Sequence, residues 1–409
     1  MNQKSVQYIV YVGDFDLRNE NVQSFLVKNN AKIFNALGFR VLYVGINTKA
    51  TEFKEIEMLP PLQIENDNLY LELPTTLSFQ GIGKIKSIKN SIISKLNDIK
   101  VLGTVSYIVT YQSPSYATVL NDIAKWSKKE GIPYIVNSAD LPTFTLQPLY
   151  RRLVMKANWD YMHYINKKYS CGIIAVTKYI ENFYKSNGVN SIVVPPLFAR
   201  STTDYWQPKI NDKTTFVYAG VPFKFIGKKV NPKGMKDRLD RIIDIFSTLS
   251  NNIDYKFIIV GIEKDEYLMG VPRQTSFLNN CEKIQFLGKK NHSDTMDYVL
   301  NADFTINYRD KCLMTEAGFS TKIVESVSLG TPVIINDISD NFKYLCQNRT
   351  GFKLSGNINE DSDLICMLCQ LTAEKRQELK METHKENPFE YRKYIPVFDK
   401  FLKSIFLQS

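Results

Sequence analysis

The chain has 409 residues, 44% of them hydrophobic and 23% charged, which is ordinary globular usage, too long for one core and suited to two domains. It carries 52 basic against 42 acidic residues, a net charge of +10. An anionic partner is therefore expected, a phosphate-bearing substrate or an acidic membrane surface ranking ahead of nucleic acid, for which no arginine-rich block or motif is present. No uncharged stretch approaches the ~18 residues of a membrane-spanning helix.

The run Tyr8–Gly13 is too short for a signal peptide and reads as a first strand. The pattern that follows is a short β-branched run, a turn and an amphipathic helix. Strands are expected at Gln7–Val12, Arg40–Val44, Val105–Tyr111, Pro133–Asn137, Cys171–Thr177 and Ser191–Val194. Helices are expected over Asn21–Ala36, Tyr116–Glu130 and Lys178–Ser186. Such alternation predicts a parallel sheet with helices on both faces.

Asp14-Phe15-Asp16 directly follows the first strand. A DxD can hold a metal, but this one lacks a long preceding nucleotide-binding region and is read as a loop lining an acceptor cleft. Residues Ile82–Lys100 combine Ile82, Ile85, Ile88, Ile92, Ile93 and Leu96 with lysines. They fit either a helix covering the sheet or a basic amphipathic helix on an anionic bilayer. Asp140 follows the strand ending at Asn137 and is either an acceptor-side residue or a turn former. The three histidines, His163, His292 and His384, form no catalytic or metal spacing; His163 reads as packing or surface, His292 as a neighbour of a helix cap, and His384 as part of a charged tail.

After Pro195-Pro196 an irregular stretch, Ala199–Asp212, precedes a restart of the rhythm: Thr214–Ala219, a helix near Asp237–Leu249, then Tyr255–Val260, Lys283–Leu287, Asp303–Asn307 and Pro332–Asn336. This predicts an N-terminal domain over 1–200, a second over 201–386, and a closing helix in 387–409 that packs back across the boundary. The six cysteines are scattered, and Cys366 and Cys369 form a lone CxxC in a helical pattern, read as a helix face rather than a zinc or redox site.

The most informative stretch is Ala317-Gly318-Phe319-Ser320-Thr321-Lys322-Ile323-Val324-Glu325-Ser326, followed by Gly330-Thr331-Pro332-Val333-Ile334. It predicts a loop entering a helix at Ser320/Thr321, a stop at Gly330 and a buried strand. A helix N-terminus suits a diphosphate, Lys322 adds a charge in the first turn, and Glu325 sits one turn deeper, where a carboxylate can accept from paired ribose hydroxyls.

This stretch resembles the donor-binding motif of the retaining GT-B glycosyltransferases, the glycosyltransferase group 1 (family 4-like) family, and within it the bacterial surface-polysaccharide branch. Phe216-Val217-Tyr218-Ala219-Gly220, Phe257–Gly261, Phe286-Leu287-Gly288 and Ala302-Asp303-Phe304 followed by Arg309 support it. The resemblance implies a GT-B fold of two Rossmann-like domains facing across a cleft. It implies transfer of a sugar with retention from a nucleoside-diphosphate sugar, uridine diphosphate on family frequency, to a glycan or lipid-diphosphate-linked acceptor in capsule or exopolysaccharide synthesis. No metal or other cofactor is implied, and the expected location is the cytoplasm or the inner face of the cell membrane.

By the same resemblance, Glu325 holds the donor ribose, Ser320, Thr321 and Lys322 form the turn meeting the diphosphate, Gly318 and Phe319 belong to the donor-binding set, Gly220 lets the chain pass close to the donor, and Arg309 is a basic residue of this branch. Lys233 and Lys236 both fit the diphosphate-binding lysine after Gly220. One position departs from the pattern: eight residues before Glu325 the family often has a glutamate, and here stands Ala317 with Glu316 beside it. Either Glu316 turns in or the site does without it. That departure gives weight to an alternative, a catalytically weak, sugar-nucleotide-binding partner subunit. A nicotinamide dehydrogenase is disfavoured because no GxGxxG follows an early strand.

Overall fold

The computed structural model describes residues 6–13, 15–18, 22–47, 62–64, 68–74, 92–101, 103–111, 117–141, 149–185, 189–198, 206–223, 225–226, 229–230 and 237–406. The chain divides into two compact units, Met1–Ala199 with Tyr391–Ser409, and Arg200–Glu390.

The first unit runs β1 (Gln7–Gly13), α1 (Val22–Ala36), β2 (Arg40–Asn47), β3 (Leu62–Ile64), β4 (Asn68–Pro74), α2 (92–101), β5 (Thr104–Tyr111), α3 (Ala117–Lys129), β6 (Tyr134–Ser138), α4 (Leu149–Tyr169), β7 (Gly172–Ala175), α5 (Lys178–Lys185) and β8 (Ser191–Val193). These strands form one sheet in the order β3-β4-β2-β1-β5-β6-β7-β8. The β3–β4 pair is antiparallel and the other pairs are parallel. Ile9, Val10, Tyr11 and Val12 are all fully buried, as a strand covered on both faces requires. Strand order reverses between β1 and β5. There Gly13 faces Tyr111 so closely that a Cβ would lie 2.5 Å from the tyrosine Cβ. The Phe15 ring closes over the strand ends against Tyr11, Tyr43, Tyr70 and Tyr111, with centroids 6.0–6.5 Å apart.

Of the basic segment expected over Ile82–Lys100, residues 82–91 lie outside the described residues. The rest is α2, whose Ile92, Leu96 and Ile99 are buried, while Lys95 and Lys100 pair with Asp98 and Glu130. The described half therefore turns its apolar face into the protein, as a sheet-covering helix does.

The second unit runs β9 (Thr214–Ala219), the short antiparallel pair β10 (Phe225–Ile226) and β11 (Lys229–Val230), α6 (Leu239–Ser247), β12 (Tyr255–Val260), α7 (Lys264–Gly270), α8 (Thr275–Asn280), β13 (Ile284–Phe286), α9 (His292–Asn301), β14 (Phe304–Asn307), α10 (Leu313–Ala317), α11 (Thr321–Ser328), β15 (Val333–Asn336), β16 (Gly351–Leu354), α12 (Ile358–Cys369) and α13 (Ala373–Glu386). Six parallel strands form its sheet in the order β13-β12-β9-β14-β15-β16, so the order reverses between β9 and β14. The rings of Phe216, Phe246, Phe257 and Phe304 fill its core, Phe216 stacked on Phe304, Phe246 on Phe257, and the two pairs meeting edge-on. On α13, buried Lys380 donates to the carbonyls of Leu300 and Ala302, and Arg376 lies 3.3 Å from Asp303. Burial pulls Lys380 down to about 8.

The chain then returns to the first unit as α14 (Ile395–Phe406). Phe398, Phe401, Leu402 and Ile405 are buried there, and Phe398 packs edge-on against Phe34 with centroids 5.5 Å apart. Tyr107 donates to the carbonyl of Leu402 at 3.2 Å. A Cβ on Gly172 would lie 2.5 Å from the Phe401 ring, so β7 is bare where the helix crosses it. The units change over at Glu390/Tyr391 rather than 386/387 because Phe389 stays behind, buried against Phe319 and Tyr344 of the second unit.

Candidate functional site

In an open parallel sheet, ligands bind beyond the carboxyl ends of the strands, where strand order reverses. In the second unit that place lies between β9 and β14. Strands β9, β12 and β13 run into glycines with positive φ: Gly220 at 150°, Gly261 at 121° and Gly288 at 65°. The strand ends are stitched together, Gly220 N donating to Val260 O and Gly261 N to Gly288 O, each at 2.8 Å. A Cβ on Gly220 would lie 2.2 Å from Nζ of Lys322. The glycine makes room for that ammonium over the strand end.

Helix α11 delivers Lys322 from its second position. Its ammonium pairs with Asp237 and lies 4.7 Å from the centre of the Tyr218 ring. Arg309, just past β14, reaches the other oxygen of the same carboxylate, Nε to Oδ1 at 2.9 Å. Asn336 at the end of β15 fixes the Arg309 backbone on both sides, accepting from its N–H at 2.9 Å and donating to its carbonyl at 2.7 Å. Tyr218 donates its hydroxyl to Asp237 at 3.2 Å. Burial pushes the Asp237 carboxyl up, but Lys322 and Arg309 together hold it below the usual carboxylate range. Burial pulls the Lys322 ammonium down against the attraction of Asp237. The three charges leave one net positive charge at a helix N-terminus, itself positive. A cation there opposes the helix dipole, so the arrangement concentrates positive potential where an anion can arrive.

Ser320 is the N-cap residue of α11, as expected, but its hydroxyl does not cap. The hydroxyl is buried and bonds to no described residue. The same holds for Oδ1 of Asn307 at the end of β14. Buried polar atoms are costly to leave unpaired, and Asn307 lines the same small cavity as Lys322. Thr321 opens the helix. The far end closes as the sequence predicts: Gly330 has φ 80°, its N–H donates to Val327 O at 3.0 Å, and Thr331 N donates to Ser326 O at 2.9 Å, a Schellman closure. Trp206 and His384, their rings tilted to each other with centroids 4.3 Å apart, wall in Gly330, so His384, expected in a charged tail, is a packing residue.

Glu325 lies one turn along α11 and helps line a small cavity with Ala219, Asn307 and Lys322. Its Oε1 is 3.3 Å from Nε2 of His292, the first residue of α9. His292 is the cap neighbour expected, since Asn291 does the capping by accepting from Asp294 N at 2.7 Å, and its imidazole in addition reaches across to α11. Asp237 and His292 are the two residues that sequence reasoning missed.

The remaining candidates fall elsewhere. Glu316, on α10, accepts from Ser339 N at 3.4 Å and lies 3.8 Å from Lys311; Ala317 beside it is fully buried. Gly318 ends α10, and the Phe319 ring packs edge-on against Tyr344 and Phe389, so these two offer a ligand their backbone only. Lys233 and Lys236, and Asp14 of the DxD, lie outside the described residues; Asp16 accepts from Arg18 N in a local turn. In the first unit Asp140 is exposed two residues past β6 and accepts from Leu141 N at 2.8 Å. His163 is packed among Trp159, Phe183 and Tyr184, and burial takes it down to about 4. Cys366 and Cys369 sit one turn apart on α12, and burial pushes the Cys369 thiol up to about 12.

Residues 233–386, which hold most of this site, match the family model of the glycosyl transferases group 1. No curated protein matches the chain. Solved structures match along nearly its whole length. Anabaena HepE in complex with UDP is 13% identical, covering 97% of this chain and 100% of that one at a TM-score of 0.64. The sucrose-phosphate synthase of Thermosynechococcus elongatus is 12% identical, with 98% and 100% covered at 0.60. The pneumococcal O-GlcNAc transferase GtfA, in complex with UDP and GlcNAc, is 10% identical, with 98% and 99% covered at 0.60. At these identities the likeness is one of fold: two parallel-sheet units in the GT-B architecture.

Proposed function

We propose that the chain is a retaining glycosyltransferase that moves a sugar from a nucleoside-diphosphate sugar, a UDP-sugar first among the candidates, to a glycan or lipid-linked acceptor in surface-polysaccharide synthesis. The observation that carries the reading is the Lys322–Asp237–Arg309 cluster at the N-terminus of α11, with Glu325 one turn deeper on the same helix. The match of 233–386 to a glycosyltransferase family and the UDP named in the HepE and GtfA structures support it.

The diphosphate takes its place at the start of α11, where its oxygens meet the backbone N–H groups of the first turn, the Ser320 hydroxyl and Lys322. Arg309 adds a second cation, and Lys233 or Lys236 a third. Glu325 accepts from the paired ribose hydroxyls. As the bond from the anomeric carbon to the phosphate oxygen breaks, the cations and helix end stabilise the charge growing on the leaving diphosphate. The acceptor hydroxyl bonds to the anomeric carbon, and its proton passes to the departing phosphate. No protein base and no metal is required. Asp140 orients the acceptor; turnover and acceptor affinity both intact in Asp140→Asn would remove that role.

The test is a donor screen by ligand-observed NMR with uridine, guanosine and adenosine diphosphate sugars. One donor should bind, and Glu325→Ala should weaken it about 100-fold, the scale of losing a charge-assisted pair of hydrogen bonds. No binding by any nucleotide sugar would sink the reading. The tie of Glu316 to Ser339 and Lys311, with Ala317 buried beside it, favours one rival, a partner subunit that binds donor without turning it over. Turnover by this chain alone separates the two.

A further inference from the structure

Arg238 stands where a helix gives it no reason to be. It is the N-cap residue of α6, and its side chain makes no capping bond. Short polar acceptors suit that position, and a cation there faces the positive end of the helix. The guanidinium is engaged elsewhere. Its Nε and Nη2 donate to the two oxygens of Asp240, each at 2.9 Å, and its Nη1 donates to Asp310 at 2.6 Å. The fork onto Asp240 is local, two residues away, but the bond to Asp310 crosses 72 positions to the loop after β14. A residue that breaks a local rule is expected where function or specificity gains by it.

What is gained here is register. Asp237 and Arg309 face each other as an isolated antiparallel bridge, and the next backbone bond runs from Arg238 N to Tyr308 O at 2.7 Å. Asp237-Arg238 reads acid then base, and Arg309-Asp310 reads base then acid. The side chains form two rungs. The inner rung joins Asp237, 4% exposed, to Arg309 and meets Lys322. The outer rung runs diagonally from Arg238 to Asp310, which is 48% exposed. Neighbouring side chains of bridged chain point to opposite sides, and a diagonal partner is within reach of a long side chain. A slip of one residue in the pairing would set Arg238 opposite Arg309, cation against cation, and carry the carboxylate away from Lys322.

We propose that the outer pair, Arg238 with Asp310, is a positioning device for the anion site: it holds the chain before α6 in the one register that lets Asp237 gather Arg309 and Lys322 at the head of α11. Neither residue of the outer pair touches substrate. Both act through Asp237, by fixing which residue faces the two cations. Thr315 steadies the far side, donating its hydroxyl to the carbonyl of Asp310 at 2.8 Å. Only the identity of the anion as a diphosphate rests on the transferase reading; the register belongs to the chain itself.

Two readouts on the full chain test this role: the titration of the Asp237 carboxyl, followed by carbon-detected NMR, and the affinity for inorganic pyrophosphate. In the wild type, Lys322 and Arg309 hold that carboxyl below the usual range against the effect of burial. Arg238→Met and Asp310→Ala should each loosen Arg309, so that the carboxyl titrates higher. Each should weaken pyrophosphate about 3- to 10-fold, the range of couplings carried through such a network. The double variant should be no weaker than the weaker single one. Asp310 is half-exposed, so its loss should leave the melting temperature near that of the wild type, which keeps the test readable if Arg238→Met folds poorly. Asp254→Ala breaks an ion pair of similar exposure, with Lys213, at the opposite end of the sheet and should change neither readout. An Asp237 titration unchanged in Asp310→Ala would overturn the positioning role. So would a pyrophosphate affinity that is unchanged, or that falls only in step with the melting temperature, or losses that add in the double variant. Should the wild type bind no pyrophosphate, the diphosphate reading of the site falls, and the titration alone decides the role of the outer pair.

Discussion

The two units reverse their strand order in the same way, yet the two reversal points are built from opposite materials. Between β1 and β5 the space above the strand ends is filled by rings: Phe15 packs on Tyr11, Tyr43, Tyr70 and Tyr111. Between β9 and β14 the space is held by charge, with Lys322 and Arg309 converging on a buried Asp237. The same topology therefore does not dictate a ligand. What differs is whether the loop after the strand brings back an aromatic ring, which closes the edge, or an ion pair with charge to spare, which leaves it ready to receive an anion.

That contrast can be broken at either end. The largest effect is expected from Asp237→Ala, which leaves two partly buried cations facing each other. Breaking a buried ion pair costs about 3–5 kcal/mol, read as a lower denaturant midpoint, and donor binding should change with it. The pH dependence has a definite sign. The folded carboxyl titrates below its unfolded value, so its stabilisation is complete above about pH 4 and is lost as pH falls through the lower folded value. Asp237→Asn should lack that acid-side loss; an unchanged acid limb would mean that the cluster contributes no net stability.

In the first unit, Phe398→Ala removes a ring from the core and should cost about 3–5 kcal/mol while donor affinity, measured below the melting transition, stays as in the wild type. A fall in donor affinity would show that the ring-filled unit and the charged one are energetically coupled. The smallest effect is expected from His292→Gln. If the imidazole only orients Glu325, donor KM should rise about 2- to 10-fold, the scale of one hydrogen bond, with kcat unchanged. A drop in kcat instead would give His292 a part in the reaction.

The strands and the boundaries of α11 were readable because they are local. Thr214–Ala219 and Tyr255–Val260 are β-branched and aromatic but for Ala219 and Lys256, and Ser320 and Gly330 announce the ends of a helix between them. Lys322 and Glu325 were readable through the motif they share. Asp237 was not, because in sequence it is one more acidic residue before a helix, and its partner Lys322 lies 85 positions away. His292 reaches 33 positions to Glu325, again invisible to any local pattern. Most of α4 escaped notice because its first half has no fully buried residue, and periodicity records a helix only through the side it hides. The Ser320 hydroxyl shows the limit of a correct rule: the residue occupies the capping position without making the capping bond.

Helix α14 completes the core of the first unit with residues made only after the whole of the second, Arg200–Glu390, has been synthesised. At ~5–20 residues per second, the face around Phe34 and Gly172 waits roughly 10–40 s for its cover while the ribosome works through that interval. During that time the second unit, continuous in sequence, can already fold. The nascent chain thus passes through a stage in which its later half is finished and its earlier half still exposes apolar surface, and in that interval it is most open to chaperones and to aggregation.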